Sequence, residues 1–131
     1  MATAGRILVP RRRRETVIAQ RRAVSARILP LWNEVDVLLT PGLPTTAIAA
    51  EGAYGQPTPV AFDRAARFIP WSPAFNLTGQ PAVTLPAGFG TDGLPLSVQL
   101  VGGLGAEDVL YSLAAQIEQA RPWAQDRPVM A

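Results

Sequence analysis

The sequence contains no cysteine, no histidine and no lysine, so all twelve of its cationic side chains are arginines. Without cysteine the chain forms no disulfide and offers no thiolate nucleophile or metal ligand. Without histidine it lacks the commonest general base, and without lysine it lacks the usual amine nucleophile. Neither a Ser–His–Asp nor a Ser–Lys arrangement can be assembled from these 131 residues, and we expect no cofactor and no metal site.

Long apolar runs are also absent. Hydrophobic residues make up 48% of the chain, which is enough for a core. No run approaches the roughly 18 residues that a membrane span needs. The start is rich in arginine and has no apolar signal segment. These features predict a cytoplasmic protein with no membrane contact.

The acidic residues are the remaining candidates for hydrolytic chemistry, because two carboxylates can catalyse hydrolysis without other groups. The acids to consider sit at predicted turns or helix ends: Asp36, Asp63, Asp92, Glu107 and Asp108. Each of these positions has a turn or capping explanation. We therefore predict no carboxylate pair for acid–base work and assign no catalytic residue.

Positive charge is concentrated near the start of the chain. Residues 1–33 hold eight arginines and one glutamate, whereas residues 34–131 hold four arginines and nine acids. Such a block either binds nucleic acid through its phosphates or forms a solvated helix face. The solvated face is favoured because Trp32 is the only aromatic residue nearby, so a nucleic-acid partner is not expected. Residues 1–12 are predicted to be a flexible, arginine-rich start.

A long helix followed by a short strand is predicted next. Between about residue 13 and residue 33 an apolar face recurs at helical spacing, at Val17, Val24, Ile28, Leu31 and Val35. Pro30 should break or kink the last turn of this helix. Residues 35–40 form a nearly continuous apolar run, which predicts a strand buried on both faces of a helix-covered sheet. The loop over residues 41–46 is either a site wall or a plain surface connection.

Proline and glycine punctuate the middle of the chain. Residues 47–62 are predicted to be an irregular loop. A short helix is predicted over residues 63–68, with Asp63 near its start. A second helix is predicted from an N-cap at Ser72 to Gly79, which supplies the positive φ that closes a last turn.

Three apolar side chains cluster around the start of that second helix: Ile69, Trp71 and Phe75. Two interpretations remain open for them. Aromatic residues at this spacing belong to a core, or they line an apolar pocket for an acyl or aryl group.

A β-hairpin is predicted from residue 82 to residue 100. Its first strand begins with the apolar run over residues 82–85, and Thr91-Asp92-Gly93 has the composition of a turn. The alternation that follows puts four apolar side chains on one face of a second strand: Leu94, Leu96, Val98 and Leu100.

A glycine-rich connection and a helix follow the hairpin. Residues 102–105 are rich in glycine and are predicted to be a flexible connection from strand to helix. A phosphate-binding loop is not favoured there, because Glu107 and Asp108 would repel the anion. The helix ends before Pro122, and residues 126–131 are predicted to be a surface tail. Residues 13–125 are thus expected to form one α/β unit.

Several separated strings resemble the amidase signature hydrolases. They are VDVLLTPGLPTTA (residues 35–47), FNLTGQPAVTLPAGF (75–89), DGLPLSVQLVG (92–102) and LAAQIEQARPW (113–123). The resemblance implies an α/β fold in which this chain is the C-terminal part, contributing a partial mixed β-sheet with flanking helices. It also implies hydrolysis of carboxylic amides by two serines and a lysine, with backbone amides forming the oxyanion hole.

The catalytic part of that pattern has no counterpart here, since the chain has neither a lysine nor a Gly-Ser-Ser string. The resemblance assigns only a pocket-wall role, to Ile69, Trp71 and Phe75. It implies two partners, namely an N-terminal catalytic part and a small amide substrate, and an isolated chain that is inactive. Two alternatives stay open: part of the A subunit of a glutamyl-tRNA amidotransferase, or a non-catalytic remnant that binds partners or associates with itself.

Overall fold

The computed structural model describes residues 11–49 and 55–126. Its elements are α1 (Arg11–Ile28) continued by a 3₁₀ helix (Leu29–Asn33), β1 (Val37–Pro41), α2 (Thr58–Phe68), α3 (Ser72–Thr78), β2 (Ala82–Phe89), β3 (Pro95–Gly102) and α4 (Glu107–Ala120). Most of the predicted flexible start and tail lies outside the described residues.

The sheet has three strands in the order β1-β3-β2, and both pairings are antiparallel. Strand β3 is central because Leu100 is opposite Leu39 of β1 on one side and Val83 of β2 on the other. Gly93 has a φ of 76°, and the amide of Leu94 donates to Asp92 Oδ1 at 3.1 Å, as the turn composition predicted. The hairpin and the α/β class, a sheet flanked by helices, are confirmed.

One face of the sheet packs against α4 and contains the core cluster. Leu85 and Leu100 from the sheet meet Leu110 from the helix, and all three are buried. Partly buried apolar side chains surround them: Val37, Val83, Val98, Leu113, Ala114, Ile117 and Trp123. Val98 and Leu100 come from the predicted apolar stripe, and burying them removes most of their apolar surface from water.

The opposite face of the sheet packs against α3 and the 3₁₀ helix. Val101, the next residue after Leu100, is 0% exposed, and Gln99 Nε2 lies 3.5 Å from Ser72 Oγ at the start of α3. Phe75 of α3 meets Trp32 edge to face with ring centroids 6.4 Å apart. Because successive strand residues point to opposite faces, β3 has covered side chains on both sides near its end.

The long first helix forms as predicted, with an early change of geometry. It is α-helical to Ile28 and then 3₁₀ from Leu29, where Pro30 occupies the first turn of the tighter helix. The predicted apolar face is largely uncovered within the described residues, since Val17 is 59% exposed. The helix is held instead near its middle, where Arg21 Nε donates to the carbonyl of Leu77 at 3.1 Å.

The prediction that the first strand is buried on both faces is wrong for the described chain. Strand β1 is an edge strand that pairs only with β3, and Leu39 is 61% exposed. The apolar run predicts that this strand is buried, but α4 does not extend over Leu39. An uncovered apolar edge strand is a pairing site for further protein.

The predicted short helix at residues 63–68 begins too late. Helix α2 starts at Thr58, within the segment predicted to be an irregular loop. Pro59 explains the difference, because its fixed φ suits the first turn of a helix and its missing N–H costs nothing there. Asp63 is therefore in the middle of the helix, where it pairs with Arg67 at 3.0 Å.

The start of α3 also differs from the prediction. Trp71 is the N-cap, its backbone is already α-helical, and no side chain caps the helix there. Ser72 is instead the first helical residue and contacts Gln99. The end agrees with the prediction, since Gly79 has a φ of 84° and the amides of Gly79 and Gln80 donate to the carbonyl of Phe75.

The glycine-rich link after β3 is close-packed at its first two residues, and its flexibility stays a prediction. A Cβ on Gly102 would lie 3.1 Å from Ala106 Cβ, and one on Gly103 would lie 3.2 Å from the Trp32 ring. These glycines let α4 and Trp32 approach the strand end. Among the described helices, none is both long enough and apolar enough to cross a bilayer.

Candidate functional site

The three predicted pocket-wall residues lie together at the junction of α2 and α3, but they differ in exposure. Ile69 follows α2 and is 40% exposed, Trp71 is half-buried at the N-cap of α3, and Phe75 is buried against Trp32. Phe75 therefore supports this segment from beneath, and Ile69 and Trp71 present the surface that could touch a ligand.

Buried polar side chains flank the same helix, and sequence reasoning missed them. Thr40 of β1 and Gln99 of β3 are opposite each other in the strand register, so their Cβ atoms are about 5 Å apart. Gln80 follows α3 and receives a short hydrogen bond from the Thr78 hydroxyl. The available sequence signal for a buried polar group was Gln99, which interrupts an apolar strand. The alternation pattern, however, assigns such a residue to the solvent face.

Four buried polar atoms in this region have no hydrogen-bond partner among the described residues: Trp32 Nε1, Thr40 Oγ1, Gln80 Nε2 and Gln99 Oε1. More than nine in ten buried polar groups in proteins are paired, and leaving one unpaired costs about 1–3 kcal/mol. These atoms include both donors and acceptors. All four are shut off from solvent, so the described residues leave their hydrogen bonding incomplete.

The loop after β1 and helix α2 enclose an apolar groove of about 690 Å³. Its walls include Ile48 and Phe68, and its cationic residues are Arg64 and Arg67. Arg67 is engaged by Asp63 through Nε at 3.0 Å. The sequence left this loop open as a site wall or a plain connection. Pro44 and Thr45 line the groove, and the choice between the two interpretations stays open.

The described residues provide no complete catalytic set. Ser72 Oγ lies 3.5 Å from the amide nitrogen of Gln99, which cannot act as a base. No group of three carboxylates among residues 11–49 and 55–126 could hold a metal ion. Among the described residues, the site offers apolar and hydrogen-bonding groups with which to bind and orient a ligand.

Comparison with known proteins identifies the class to which this arrangement belongs. The family model described as Amidase matches residues 9–110. Mycobacterium tuberculosis AmiB2, whose name assigns it to the amidases, is 44% identical over 118 residues, which is 89% of this chain and 25% of AmiB2. The chain therefore belongs to the amidase family.

Solved structures agree with that assignment. A structure of 6-aminohexanoate cyclic dimer hydrolase superimposes with a TM-score of 0.77 and 30% identity, covering 92% of this chain and 27% of that one. The glutamyl-tRNA(Gln) amidotransferase A subunit from Thermotoga maritima gives a TM-score of 0.63 with 28% identity, over 83% and 23%. The chain thus spans about a quarter of the length of the relatives it matches.

Proposed function

We propose that this chain forms the C-terminal part of an amidase that hydrolyses carboxylic amides. It supplies strands of the sheet and a wall of the substrate pocket, while the nucleophile and the base come from residues outside it. Two facts support the proposal. The chain belongs to the amidase family yet spans 25% of AmiB2. It also has no lysine, histidine or cysteine.

The observation that carries the proposal is uncovered apolar surface on the first helix and on the edge strand. Val17 of α1 is 59% exposed and Leu39 of β1 is 61% exposed, although both belong to patterns that predict burial. The buried atoms Thr40 Oγ1, Gln80 Nε2 and Gln99 Oε1 also lack partners among the described residues. A larger protein that covers Val17 and Leu39 is favoured, because it removes their apolar area from water.

The wall formed by Ile69 and Trp71 favours a small amide with an aliphatic or aryl acyl group, since ligand pockets are mostly apolar with a few polar groups. Phe75, a few residues further along the chain, is anchored in the core by its edge-to-face contact with Trp32. In the proposed reaction this chain binds and orients the acyl group, and it takes no part in proton transfer. The cytoplasmic location and the one-domain organisation over residues 13–125 remain predictions.

A chimeric enzyme tests the proposal. The C-terminal part of AmiB2 that aligns with this chain is replaced by the chain, and hydrolysis of aliphatic and aryl amides is measured. We expect the chimera to release amine and the isolated chain to release none. Turnover by the isolated chain after rigorous purification contradicts the missing-base argument. A folded but inactive chimera contradicts the assignment to the amidase pocket.

The pocket wall is tested within the same chimera. Replacing Trp71 with alanine should raise KM for an aryl amide about tenfold, which corresponds to about 1.4 kcal/mol of lost apolar contact. Tyr111→Ala is the matched control, because Tyr111 is 73% exposed on α4. If the two variants have the same KM, the assignment of Trp71 to the pocket wall is wrong.

A second candidate is part of the A subunit of a tRNA-dependent amidotransferase. It is favoured by the superposition on the Thermotoga maritima protein and by exposed arginines on α1 such as Arg13, Arg14 and Arg22. Binding of tRNA that weakens steeply with added salt would support it, because neutralising phosphates releases counterions. Absence of binding at low salt would remove it and leave a non-catalytic, self-associating module as the remaining alternative.

A further inference from the structure

The α4 face of the sheet ends in a cleft that the proposed function does not use. The strand alternation puts Leu94 and Leu96 in line with Val98 and Leu100, but α4 covers only the second pair closely. Beyond the helix end, the uncovered part of this stripe lines a cleft of about 450 Å³. Trp123, which packs against the core cluster, forms another wall.

The lining of the cleft is apolar with a single ionisable group. Its residues are Pro86, Gly88, Phe89, Gly93, Leu94, Pro95, Leu96, Trp123 and Asp126. Asp126 is the only one that carries charge. Its amide donates to the carbonyl of Trp123 at 2.9 Å, so a backbone turn places both residues on the wall of the same cleft.

This combination selects the chemistry of a ligand. An anion would be repelled by Asp126, and a neutral apolar molecule would leave the carboxylate unused. A primary ammonium with an apolar body can pair with Asp126, approach the faces of Trp123 or Phe89, and bury its hydrocarbon part against the leucines. The volume is within the range of small-molecule sites, about 300–1,000 Å³.

We infer that the cleft bounded by Phe89, Leu96, Trp123 and Asp126 binds small apolar amines in their ammonium form. It is separate from the proposed substrate wall, because Trp71 and Phe75 lie near α3 on the opposite face of the sheet. The activity of the amidase chimera therefore neither supports nor contradicts this inference.

The test is a titration of the full 131-residue chain, followed through the indole N–H signal of Trp123 in ¹H–¹⁵N spectra. The probes are hexylammonium, hexanol and hexanoate, which share a six-carbon chain and differ in charge. We expect a saturable shift with hexylammonium, at least fivefold weaker binding of hexanol, and no binding of hexanoate. Added salt should weaken only the binding of the ammonium.

Three variants separate charge from shape. Asp126→Asn should weaken hexylammonium binding about fivefold and leave hexanol unchanged, whereas Asp108→Asn, at the start of α4, should change neither. Leu94→Ala should weaken both probes because it removes part of the apolar wall.

Five outcomes would overturn the inference. Equal binding of the three probes, or no effect of Asp126→Asn, removes the charge argument. No saturable shift removes the site, and if the isolated chain is unfolded the same titration is made on the folded chimera, whatever its activity. A Trp123 signal that follows protein concentration instead of amine identifies a second copy as the occupant. Binding that appears only after removal of residues 127–131 identifies that segment as the occupant.

Discussion

Thr46 Oγ1 donates a hydrogen bond of 2.6 Å to Asp92 Oδ2, which ties the loop after β1 to the turn between β2 and β3. The other oxygen of the same carboxylate accepts from the amide of Leu94 at 3.1 Å. Thr46 and Asp92 are 46 positions apart in sequence. The link therefore holds the loop that lines the apolar groove against the far end of the hairpin.

The Thr46–Asp92 link predicts a pH dependence of stability. The Thr46 hydroxyl, followed by the Leu94 amide, holds the pKa of Asp92 below its ordinary value of 3.8. A lowered folded-state pKa means that the contribution is full above the unfolded pKa and is lost as the pH falls through the folded one. Thr46→Val should therefore lose less stability than the unaltered chain between pH 5 and pH 2, as measured by urea unfolding.

The control for that experiment is Thr45→Val, because the Thr45 hydroxyl donates to the carbonyl of Thr46 and leaves the carboxylate untouched. It should keep the full pH dependence. If Thr46→Val and the unaltered chain show the same dependence, Asp92 is not the group that titrates.

Gly90 permits this link by having no side chain. A Cβ at Gly90 would lie 2.7 Å from Asp92 Oδ1 and 2.9 Å from Thr46 Cγ2. Gly90→Ala should destabilise the chain by about 1–3 kcal/mol, since it forces the two side chains apart. In an Asp92→Ala background the same change should cost clearly less. Additive costs in this double-mutant cycle would show that the contact is not the cause.

Gly79 ends α3 in a left-handed conformation, with a φ of 84°. The nearest atom to an added Cβ is Leu104 Cδ2 at 4.0 Å, so the cost of a substitution is conformational and not steric crowding by a neighbour. Gly79→Ala should lower the free energy of unfolding by about 1–2 kcal/mol. Gly79→Asn should cost less, because asparagine adopts this conformation more readily. Equal costs in chemical denaturation would argue against a backbone cause.

Leu110 is the contribution of α4 to the core cluster and is 3% exposed. Leu110→Ala should lower the free energy of unfolding by about 2–5 kcal/mol, through lost apolar burial and the cavity left behind. Tyr111→Ala, one position later on the exposed side, should change it by less than about 0.5 kcal/mol. A loss below about 1 kcal/mol for Leu110→Ala would show that α4 is only loosely held.

Local signals predicted the elements whose ends depend on their own residues. The hairpin follows from alternation and from the Asp92-Gly93 turn, and the end of α3 follows from Gly79 and Pro81. The start of α2 was missed because Pro57 and Pro59 are as typical of loops as of a first helical turn. Ser72 was assigned as a cap because the same residue type serves as a cap and as a polar contact for another element.

The candidate site was predicted only in part. The cluster of Ile69, Trp71 and Phe75 is visible in the sequence because the three are close along the chain. The unpaired polar atoms of Thr40 and Gln99 are not visible there, since these residues meet through strand register and are 59 positions apart. Likewise no pattern in the sequence could indicate that Leu39 would remain uncovered.

By itself, the sequence determined the order of helices and strands, the absence of a complete catalytic set and the resemblance that led to the family. These properties depend on residue types and on short spacings, which act through backbone geometry. The tertiary structure decided which face of each strand is covered, that Phe75 packs against Trp32, and that Asp92 joins Thr46. Those relationships depend on contacts between distant segments, whose free energy is set by packing and by the burial of polar groups together.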